Sequence, residues 1–459
     1  MLKWFRRLSA LGIIGLALAF VVSMILPHLR TTTSDITVDI NDPILIKKGE
    51  YVARTADCFA CHTTLDGADY AGGLPMLTPL GAIYSTNITP DIETGIGSYS
   101  FDDFNNAVKH GVRKDNSALY PAMPYPSYQI MPDEDVAAMY AYFMSAVAPV
   151  KLENKASELP PVFNWRWPLA YWQAIFAPER EFVAEHEDPV LNRGQYLIEG
   201  PGHCGSCHTE RGIGYQEIAL SNLHSNRFLS GATIDGWRAK SLRGEHKGLG
   251  IWSTDELIDF FKTGRTDITA AFGAMAEVVE HSTQYMTDDD LHAMSAYLKT
   301  LTPTPGKAVE AKTVVDTTTQ KLLDGEYDSR GALLYVEYCQ VCHRADGQGV
   351  ARIFPALDGN SAVFTENAES VLQITLSGGR MPETPHDRMA FSMPAFSFMS
   401  DADIAEVVNY IRNSWTNEAS VIDVHDVVEM RHFLSKKPQV GTDLPPHLGT
   451  NNPAGASHE

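Results

Sequence analysis

The feature that most constrains this chain is the placement of its cysteines. The 459 residues contain six cysteines, and all six fall in three copies of the pattern C-x-x-C-H. The copies read CFACH at 58–62, CGSCH at 204–208 and CQVCH at 339–343. A disulfide framework would scatter its cysteines at varied spacings, and this sequence does not. Whatever the motif binds is therefore bound three times in one chain.

The motif matches the attachment site of a covalent haem, in which two thiols add to the porphyrin and the next histidine binds the iron. Tetrahedral zinc would need a second ligand pair, and no copy contains another C-x-x-C or an H-x-x-x-H. A thioredoxin-type redox pair would lie in a βα unit, which the pattern does not indicate. We therefore predict three covalent haem c groups. Their attachment residues are Cys58, Cys61, His62, Cys204, Cys207, His208, Cys339, Cys342 and His343.

The second axial ligand of each iron is expected from a methionine later in the same copy. Candidates stand in the stretches YPAMPYP, AFGAMAE and FSMPAFS, each ahead of the last helix of its copy. A thioether there can reach the free haem face, and Met/His ligation raises the reduction potential. We predict Met123, Met275 and Met393 as metal ligands. The alternative is that these are core methionines, and the rival ligands are Met76, Met131, Met286 and Met381.

An internal repeat surrounds the three motifs. A glycine stands eight to ten residues before the first cysteine of each copy, at Gly49, Gly194 and Gly331. Each copy ends with an acidic stretch and a predicted helix: MPDEDVAAMYAYF, MTDDDLHAMSAYL and MSDADIAEVVNYI. Apolar residues recur there at i, i+3, i+4 and i+7, most fully in the first and third copies. This spacing predicts closing helices with one buried face.

The N-terminus carries an apolar segment that could cross a membrane. Residues 9–27 are uncharged and follow Lys3, Arg6 and Arg7, and their length is near that of a spanning helix. The run is longer than a signal-peptide core, and no small-x-small cleavage site follows it. An uncleaved anchor is favoured over a removed signal. Because the basic flank stays in the cytoplasm, the rest of the chain is expected on the periplasmic side of a bacterial inner membrane.

The predicted fold class is mainly α, with three tandem cytochrome c-like haem domains after an N-terminal transmembrane helix. The boundaries are an anchor at 1–30, domains at 40–150, 187–305 and 326–418, an aromatic linker at 151–186, a polar linker at 306–325 and a polar tail at 419–459. The aromatic linker is expected to pack between domains, with a partner or membrane contact as the alternative. The net charge of −21 argues against nucleic acid as a partner.

Longer stretches resemble a known family. They include ADCFACHT, GAIYSTNITPDIETGIGSYSFDDF, LYPAMPYPSY and SMPAFSFMSDADIAEVVNYIRNSW. Over about residues 45–418 the chain resembles the tri-haem cytochrome c subunits of membrane-bound alcohol, sugar, gluconate or aldehyde dehydrogenases of acetic acid bacteria and their relatives. The resemblance implies the same proximal histidines and distal methionines. It also implies that electrons pass from a separate catalytic subunit through the haems to ubiquinone in the inner membrane.

The ends of the chain depart from that family. Alcohol and sugar dehydrogenase members usually have a cleaved signal, and some attach through C-terminal segments, whereas this C-terminus is polar. This favours an aldehyde-oxidising, molybdenum-containing partner over flavin or PQQ types. The chain alone is not expected to oxidise organic substrates, since we identify no nucleotide-binding glycine loop and no hydrolytic triad. A free-standing multihaem carrier or a terminal-oxidase subunit is the alternative, and a haem peroxidase a remote one.

Overall fold

The computed structural model describes residues 2–78, 80–308, 310 and 314–436, and within them the chain is mainly helical. The helices are α1 (Leu2–Arg30), α2 (Pro43–Thr55), α3 (Cys58–His62), α4 (Phe101–Asn105), α5 (Tyr125–Tyr128), α6 (Asp133–Ser145), α7 (Trp167–Phe176), α8 (Pro189–Glu199), α9 (Gly205–His208), α10 (Thr254–Thr263), α11 (Ala274–His281), α12 (Asp288–Thr300), α13 (Thr318–Asp324), α14 (Arg330–Leu334), α15 (Gln340–His343), α16 (Glu369–Ser377), α17 (Asp401–Arg412) and α18 (Val424–Lys436). Turns of π-helix lie at Asn106–His110 and Tyr335–Cys339, and 3-10 turns at Pro161–Asn164 and Thr283–Tyr285.

Strands are short and form antiparallel hairpins: β1 (Pro75–Thr78) with β2 (Gly81–Tyr84), β3 (Ala232–Ile234) with β4 (Trp237–Ala239), and β5 (Gly379–Arg380) with β6 (Ser392–Met393). One hairpin belongs to each sequence copy. The helices therefore supply the cores, and the loops between them are free to pack around a bound group. The prediction of a mainly α fold is confirmed.

The helices that open the copies are capped by the residues before them. Asp42 accepts hydrogen bonds from the first-turn amides of α2, Asp188 does the same for α8, and Ser329 accepts from Ala332 N at the start of α14. Proline occupies the first turn of α2 and α8, where its missing N–H costs no helical bond. These caps fix where each opening helix begins, and so how far along it the motif follows.

A glycine allows the opening and closing helices of each copy to cross closely. A Cβ on Gly49 would lie 1.9 Å from Ala138 O in α6, and one on Gly194 would lie 2.0 Å from Ala293 O in α12. In the third copy a Cβ on Gly331 would lie 2.5 Å from a carbonyl oxygen of α17. Backbone meets backbone at all three crossings, so no side chain fits there. This explains the repeated glycine that the sequence shows without a reason.

The predicted buried faces of the closing helices are confirmed at i, i+3 and i+7; at i+4, Val408 of α17 is buried and Tyr140 of α6 is only half-buried. The apolar residues at i, i+3 and i+7 are all at most 2% exposed in α6, and the corresponding residues of α17 and α12 are at most 6% exposed. These residues are Val136, Met139, Phe143, Ile404, Val407, Ile411, Leu291, Met294 and Leu298. Each closing helix thus forms the centre of its copy's core, and the opening helix packs across it at the glycine.

The three sequence copies do not correspond to three compact bodies. One unit contains the described residues of 1–230 and 285–298, and the other contains those of 231–284 and 299–459. In the first unit, the Tyr51 hydroxyl donates to Asp290 at 2.5 Å, and the Tyr196 hydroxyl donates to Asp135 at 2.7 Å. These reciprocal bonds join the opening helix of each of the first two copies to the closing helix of the other.

The second unit contains the long loop of the middle copy together with the third copy. Arg265, which is 1% exposed, donates to Pro382 O at 3.0 Å and to Met389 O at 2.8 Å. A second arginine, Arg352, donates to Asp387 at 3.1 Å and pairs with Asp259. The segment predicted as one domain at 187–305 is therefore divided between the units, because its two ends and its loop pack on different neighbours.

Two of the predicted polar segments contain helices. α18 lies in the predicted tail at 419–459, and it buries Val427 and Met430 in the core of the third copy. α13 lies in the predicted linker at 306–325 and buries Leu322 in the same core. Both segments are polar in composition, and only some of their apolar residues are buried, since Leu323, Val424 and Val428 are exposed. The tail beyond residue 436 and linker residues 309 and 311–313 lie outside the described residues.

α1 contains the apolar N-terminal segment, and residues Arg7–Arg30 form a helix that is long and apolar enough to cross a membrane. The aromatic linker packs against it through α7. The rings of Phe20 and Trp167 lie 6.1 Å apart, and the Tyr171 hydroxyl donates to Ala19 O at 2.6 Å. The linker therefore contacts the apolar helix directly.

Candidate haem attachment sites

The three C-x-x-C-H motifs lie on short helical turns. The first is α3 itself, and the other two end α9 and α15. All six cysteines are among the described residues; they are half-buried, and none forms a disulfide. Burial raises the pKa of the Cys61, Cys204 and Cys339 thiols to about 12. A thiol that stays protonated at neutral pH is a poor redox nucleophile, so the sites do not suit dithiol exchange.

Two of the motif histidines are oriented by backbone carbonyls. Nδ1 of His62 lies 2.6 Å from Thr86 O, and Nδ1 of His343 lies 2.9 Å from Pro355 O. Because a carbonyl oxygen only accepts, Nδ1 carries the proton and Nε2 keeps a lone pair for a metal. Burial also lowers the pKa of both imidazoles, which favours the neutral form that binds metal. His208 ends α9 and is half-buried like the other two.

The three predicted methionine ligands share a partly exposed position. Met123 lies in the turn before α5, Met275 near the start of α11 and Met393 at the end of β6, and all three are half-buried. Three of the rivals are core residues: Met131, Met286 and Met381 are 1%, 6% and 3% exposed. Met76 in β1 is also half-buried, so burial does not separate it from the predicted ligands. A half-buried thioether has an open side that a bound group can complete, whereas a core thioether does not.

In the first copy the structure brings the segment after the predicted methionine ligand close to its motif. The Tyr128 hydroxyl of α5 donates to Ala56 O at 2.7 Å, and burial beside Cys58 and Cys61 raises the pKa of this tyrosine. In the third copy, Cys339 and Met393 pack against the same core. Sequence reasoning missed Thr86 and Pro355, whose carbonyls accept the hydrogen bonds of the motif histidines. Every residue has a backbone carbonyl, so no residue type marks the one that orients a histidine.

The donor set fits a haem better than a bare metal ion. Among the residues that the structure describes, no three side chains of His, Cys, Asp or Glu are grouped so that they could hold a metal ion. Zinc would need such a group. A haem brings its own four nitrogen ligands and needs only an imidazole, a thioether and two thiols for attachment. The sequence of each copy contains these residue types.

Comparison with known proteins decides the family. The cytochrome c family model matches residues 46–146 and 329–415, which are the first and third copies. The gluconate 2-dehydrogenase cytochrome c subunit of Pantoea cypripedii is 49% identical over 398 residues, covering 84% of this chain and 89% of that protein. The chain belongs to the family of dehydrogenase cytochrome c subunits. Covalent haem c as the cofactor and electron transfer as the activity follow from this membership.

Other dehydrogenase cytochrome c subunits extend the likeness. The cytochrome c subunit of the quinone alcohol dehydrogenase of Gluconacetobacter polyoxogenes is 48% identical over 398 residues, or 85% of each chain. The fructose dehydrogenase cytochrome subunit of Gluconobacter japonicus is 33% identical over 462 residues, covering 94% of this chain and 90% of that protein. The resemblance drawn from the sequence is confirmed, and the names of these relatives include three different substrates.

Proposed function

We propose that this cytochrome c subunit holds three haem c groups, one in each copy. The attachment residues are those of the three motifs, and the iron ligands are His62, Met123, His208, Met275, His343 and Met393. The observation that carries the proposal is the recurrence of one arrangement in all three copies: a glycine crossing, a C-x-x-C-H turn and a half-buried methionine. The middle copy retains the glycine crossing although the family model does not match it.

We further propose that the chain takes electrons from a separate dehydrogenase catalytic subunit and passes them to ubiquinone. The names of the relatives support this, since each names a dehydrogenase and one names a quinone. Bound haem supplies the one-electron redox chemistry. The carbonyls of Thr86 and Pro355 hold the imidazoles of His62 and His343 in the tautomer that can bind iron. An aldehyde-oxidising molybdenum partner stays a prediction, and flavin and PQQ partners are the alternatives.

The membrane location belongs to the same proposal. Residues Arg7–Arg30 are apolar enough to span a bilayer and follow basic residues. We place the helix in the bacterial inner membrane with the haem-binding residues on the periplasmic side, where the quinone pool is within reach. A free-standing carrier would carry the same iron ligands but would need no membrane helix.

Purification of the native complex from membranes tests the partner. We expect the chain to co-purify with a catalytic dehydrogenase subunit that intact-complex mass spectrometry can name. The substrate of that subunit should reduce the haems, as seen by their absorption in the visible range. If the chain is isolated without a partner under mild detergent conditions, or if substrate leaves its haems oxidised, the free-standing carrier becomes the better description.

The haem count is a separate prediction. Since all three motifs have the same arrangement, the fully matured chain should contain three haems in a pyridine haemochrome assay against protein mass. A Cys204→Ala, Cys207→Ala double variant should contain two, which shows that the middle motif is occupied. A value of two in the unaltered chain would remove the middle copy from the proposal.

A further inference from the structure

A cluster of buried polar side chains lies at the C-terminal end of α1. Arg30 ends that helix, His110 ends the first π-helical turn, Tyr125 begins α5 and Gln173 lies in α7. Their exposures are 8%, 9%, 0% and 0%. We call these four residues the polar cluster. None of them belongs to the haem attachment sites.

Direct contacts hold the polar cluster together. Arg30 Nη1 lies 3.5 Å from Gln173 O, and Gln173 Nε2 donates to Gly111 O at 2.7 Å. A Cβ on Gly111 would lie 2.7 Å from the Tyr125 ring and 2.8 Å from the Gln173 amide. Four separate elements therefore converge at one point. They can approach this closely because Gly111 has no side chain.

Several polar atoms of the polar cluster have no hydrogen-bond partner among the described residues. They are Arg30 Nε and Nη2, His110 Nδ1, the Tyr125 hydroxyl and Gln173 Oε1. Gln173 Nε2 has two hydrogens: one is donated to Gly111 O, and the other is directed to the Tyr125 hydroxyl, whose own proton still has no acceptor among the described residues. Buried polar groups are almost always paired, and one that is not calls for a ligand or another explanation. Five such atoms from four converging side chains indicate a binding site.

The polar cluster lies between the membrane helix and the first predicted haem site, so a ligand would reach it along the membrane helix. α7 runs beside α1, with Trp167 against Phe20 and Tyr171 against Ala19, so an apolar, aromatic surface leads from the membrane helix to the polar cluster. At the other side, Tyr125 follows the predicted iron ligand Met123 by two residues. A molecule bound here would lie with one end in lipid and the other close to the first haem site.

We propose that the polar cluster binds the headgroup of a lipid-soluble quinone. The proposal rests on the proposed function, and it names where the acceptor is held. Quinone carbonyl oxygens accept hydrogen bonds, which the Arg30 guanidinium and the Tyr125 hydroxyl are free to donate. The ring of Trp172, 6.4 Å from that of Tyr125, offers an aromatic surface for the flat headgroup. The apolar tail would lie along α1 and α7.

A phospholipid headgroup would also accept hydrogen bonds from Arg30, but the polar cluster suits it less well. Burial lowers the pKa of His110 to about 4, so this side chain is neutral at physiological pH. The polar cluster then contains one cation, with neutral tyrosine, histidine and glutamine beside it. A neutral dione is a better match for this set than an anionic phosphate, which favours several cations.

Equilibrium binding of decylubiquinone to the haem-loaded chain in detergent, measured by titration calorimetry, tests the proposal. Tyr125→Phe and Arg30→Gln should each weaken binding by about tenfold or more, because each removes a donor to a carbonyl oxygen. Tyr128→Phe is the matched control from the same helix. Its hydroxyl already donates to Ala56 O at 2.7 Å, so the quinone affinity should not change.

The outcomes separate this inference from the proposed function. Unchanged quinone affinity in both variants would overturn the quinone site. If the variants also lose a phospholipid that the unaltered chain retains in native mass spectrometry, the polar cluster binds lipid instead. The haem absorption spectrum checks that each variant is folded and loaded, and Arg30→Gln decides alone if Tyr125→Phe fails this check. Unchanged quinone affinity in the variants, together with haems that substrate reduces in the native complex, would contradict only the site, whereas haems that substrate cannot reduce in that complex would contradict the proposed function.

Discussion

Met275 and Met286 belong to the same copy, yet their surroundings differ. Met275 is half-buried at the edge of a small cluster formed by Ala271, Ala276 and Val279. Met286 is 6% exposed, immediately before α12. Core packing accounts fully for Met286, and it leaves the thioether of Met275 with an open side. The two residues therefore allow iron ligation and packing to be tested separately.

Met275→Ala should remove an axial ligand from the middle haem. Without the thioether, carbon monoxide should bind the reduced form of that haem, and its reduction potential should fall. Met286→Ala should instead create a core cavity that costs about 2–5 kcal/mol of stability, with no carbon monoxide band. Visible spectra under carbon monoxide and a redox titration distinguish the two. A carbon monoxide band in Met286→Ala alone would reverse the assignment.

Side-chain chemistry allowed candidate site residues to be named from sequence, because two thiols and an adjacent imidazole in C-x-x-C-H match covalent haem attachment, and those residues stay a prediction. The carbonyls that orient the imidazoles were not predictable. Thr86 O lies 24 residues from His62, and Pro355 O lies 12 from His343. Every residue has a carbonyl, so only the folded loop determines which one accepts the bond. Burial of the rival methionines likewise needed the structure.

Among the helices, the crossing glycines are the most demanding positions. Gly49 lies where α2 meets the backbone of α6, and the nearest atoms to an added Cβ are carbonyl atoms of Ala138. A side chain there could move out of the way, but backbone cannot without shifting a whole helix. The sequence revealed the repeated glycine but not this reason, because a helix crossing joins residues far apart in the chain.

Gly49→Ala should destabilise the first unit by more than about 2 kcal/mol, since the clash outweighs the roughly 1 kcal/mol by which alanine favours a helix. The thermal midpoint should fall by about 4–8 °C. Lys47→Ala, an exposed position in the same helix, should change stability by less than about 0.5 kcal/mol. Equal midpoints for the two variants would show that the helices can separate without cost.

α18 lies in the segment that the sequence indicated as a polar tail, and composition alone did not indicate its packing. Its segment is rich in charges, yet Val427 is 0% exposed and Met430 is 7% exposed against α16 and α17. Arg431 adds polar contacts, donating to Asp401 and to Met399 O at 2.6 Å each. Two buried residues at i and i+3 are too few for periodicity to detect, although they are enough to dock a helix.

Neighbouring valines in α18 allow this docking to be tested. Val427→Asp should cost about 3 kcal/mol or more, because it buries a charge that has no partner. Val428→Asp, at a residue that is 45% exposed, should stay within about 0.5 kcal/mol. Thermal unfolding of the two haem-loaded variants measures the difference. A similar small effect in both would mean that α18 does not contribute to the core of the third copy in solution.

At the scale of the whole molecule, the three sequence repeats and the two compact units give different divisions of the chain. Periodicity and motifs report what is repeated along the sequence. Contacts such as Tyr51 to Asp290 join residues of different copies, and no pattern within one copy indicates them. The number of haem domains therefore stays a prediction from sequence, while the division into units required the structure.

Replacing residues 1–28 with a cleavable secretion signal tests the anchor. Expressed without any partner, the shortened chain should be recovered in the soluble periplasmic fraction with its haems attached, because the apolar helix is the segment that can satisfy its backbone in lipid. The intact chain should remain with the membranes under the same conditions. N-terminal sequencing of the native protein can contradict the anchor. A mature N-terminus near residue 30 would identify the segment as a removed signal peptide.

The reciprocal tyrosine bonds also limit how such genes can be recombined. A chimera that takes only its middle copy from a relative would exchange Tyr196 and Asp290 but keep Tyr51 and Asp135, so each donor would face an acceptor from another parent. The long loop of that middle copy, which carries Arg265, would pack against a third copy from the other parent. Chimeras with crossovers at the repeat boundaries should therefore fold poorly, unless both parents have the same residues at these four positions.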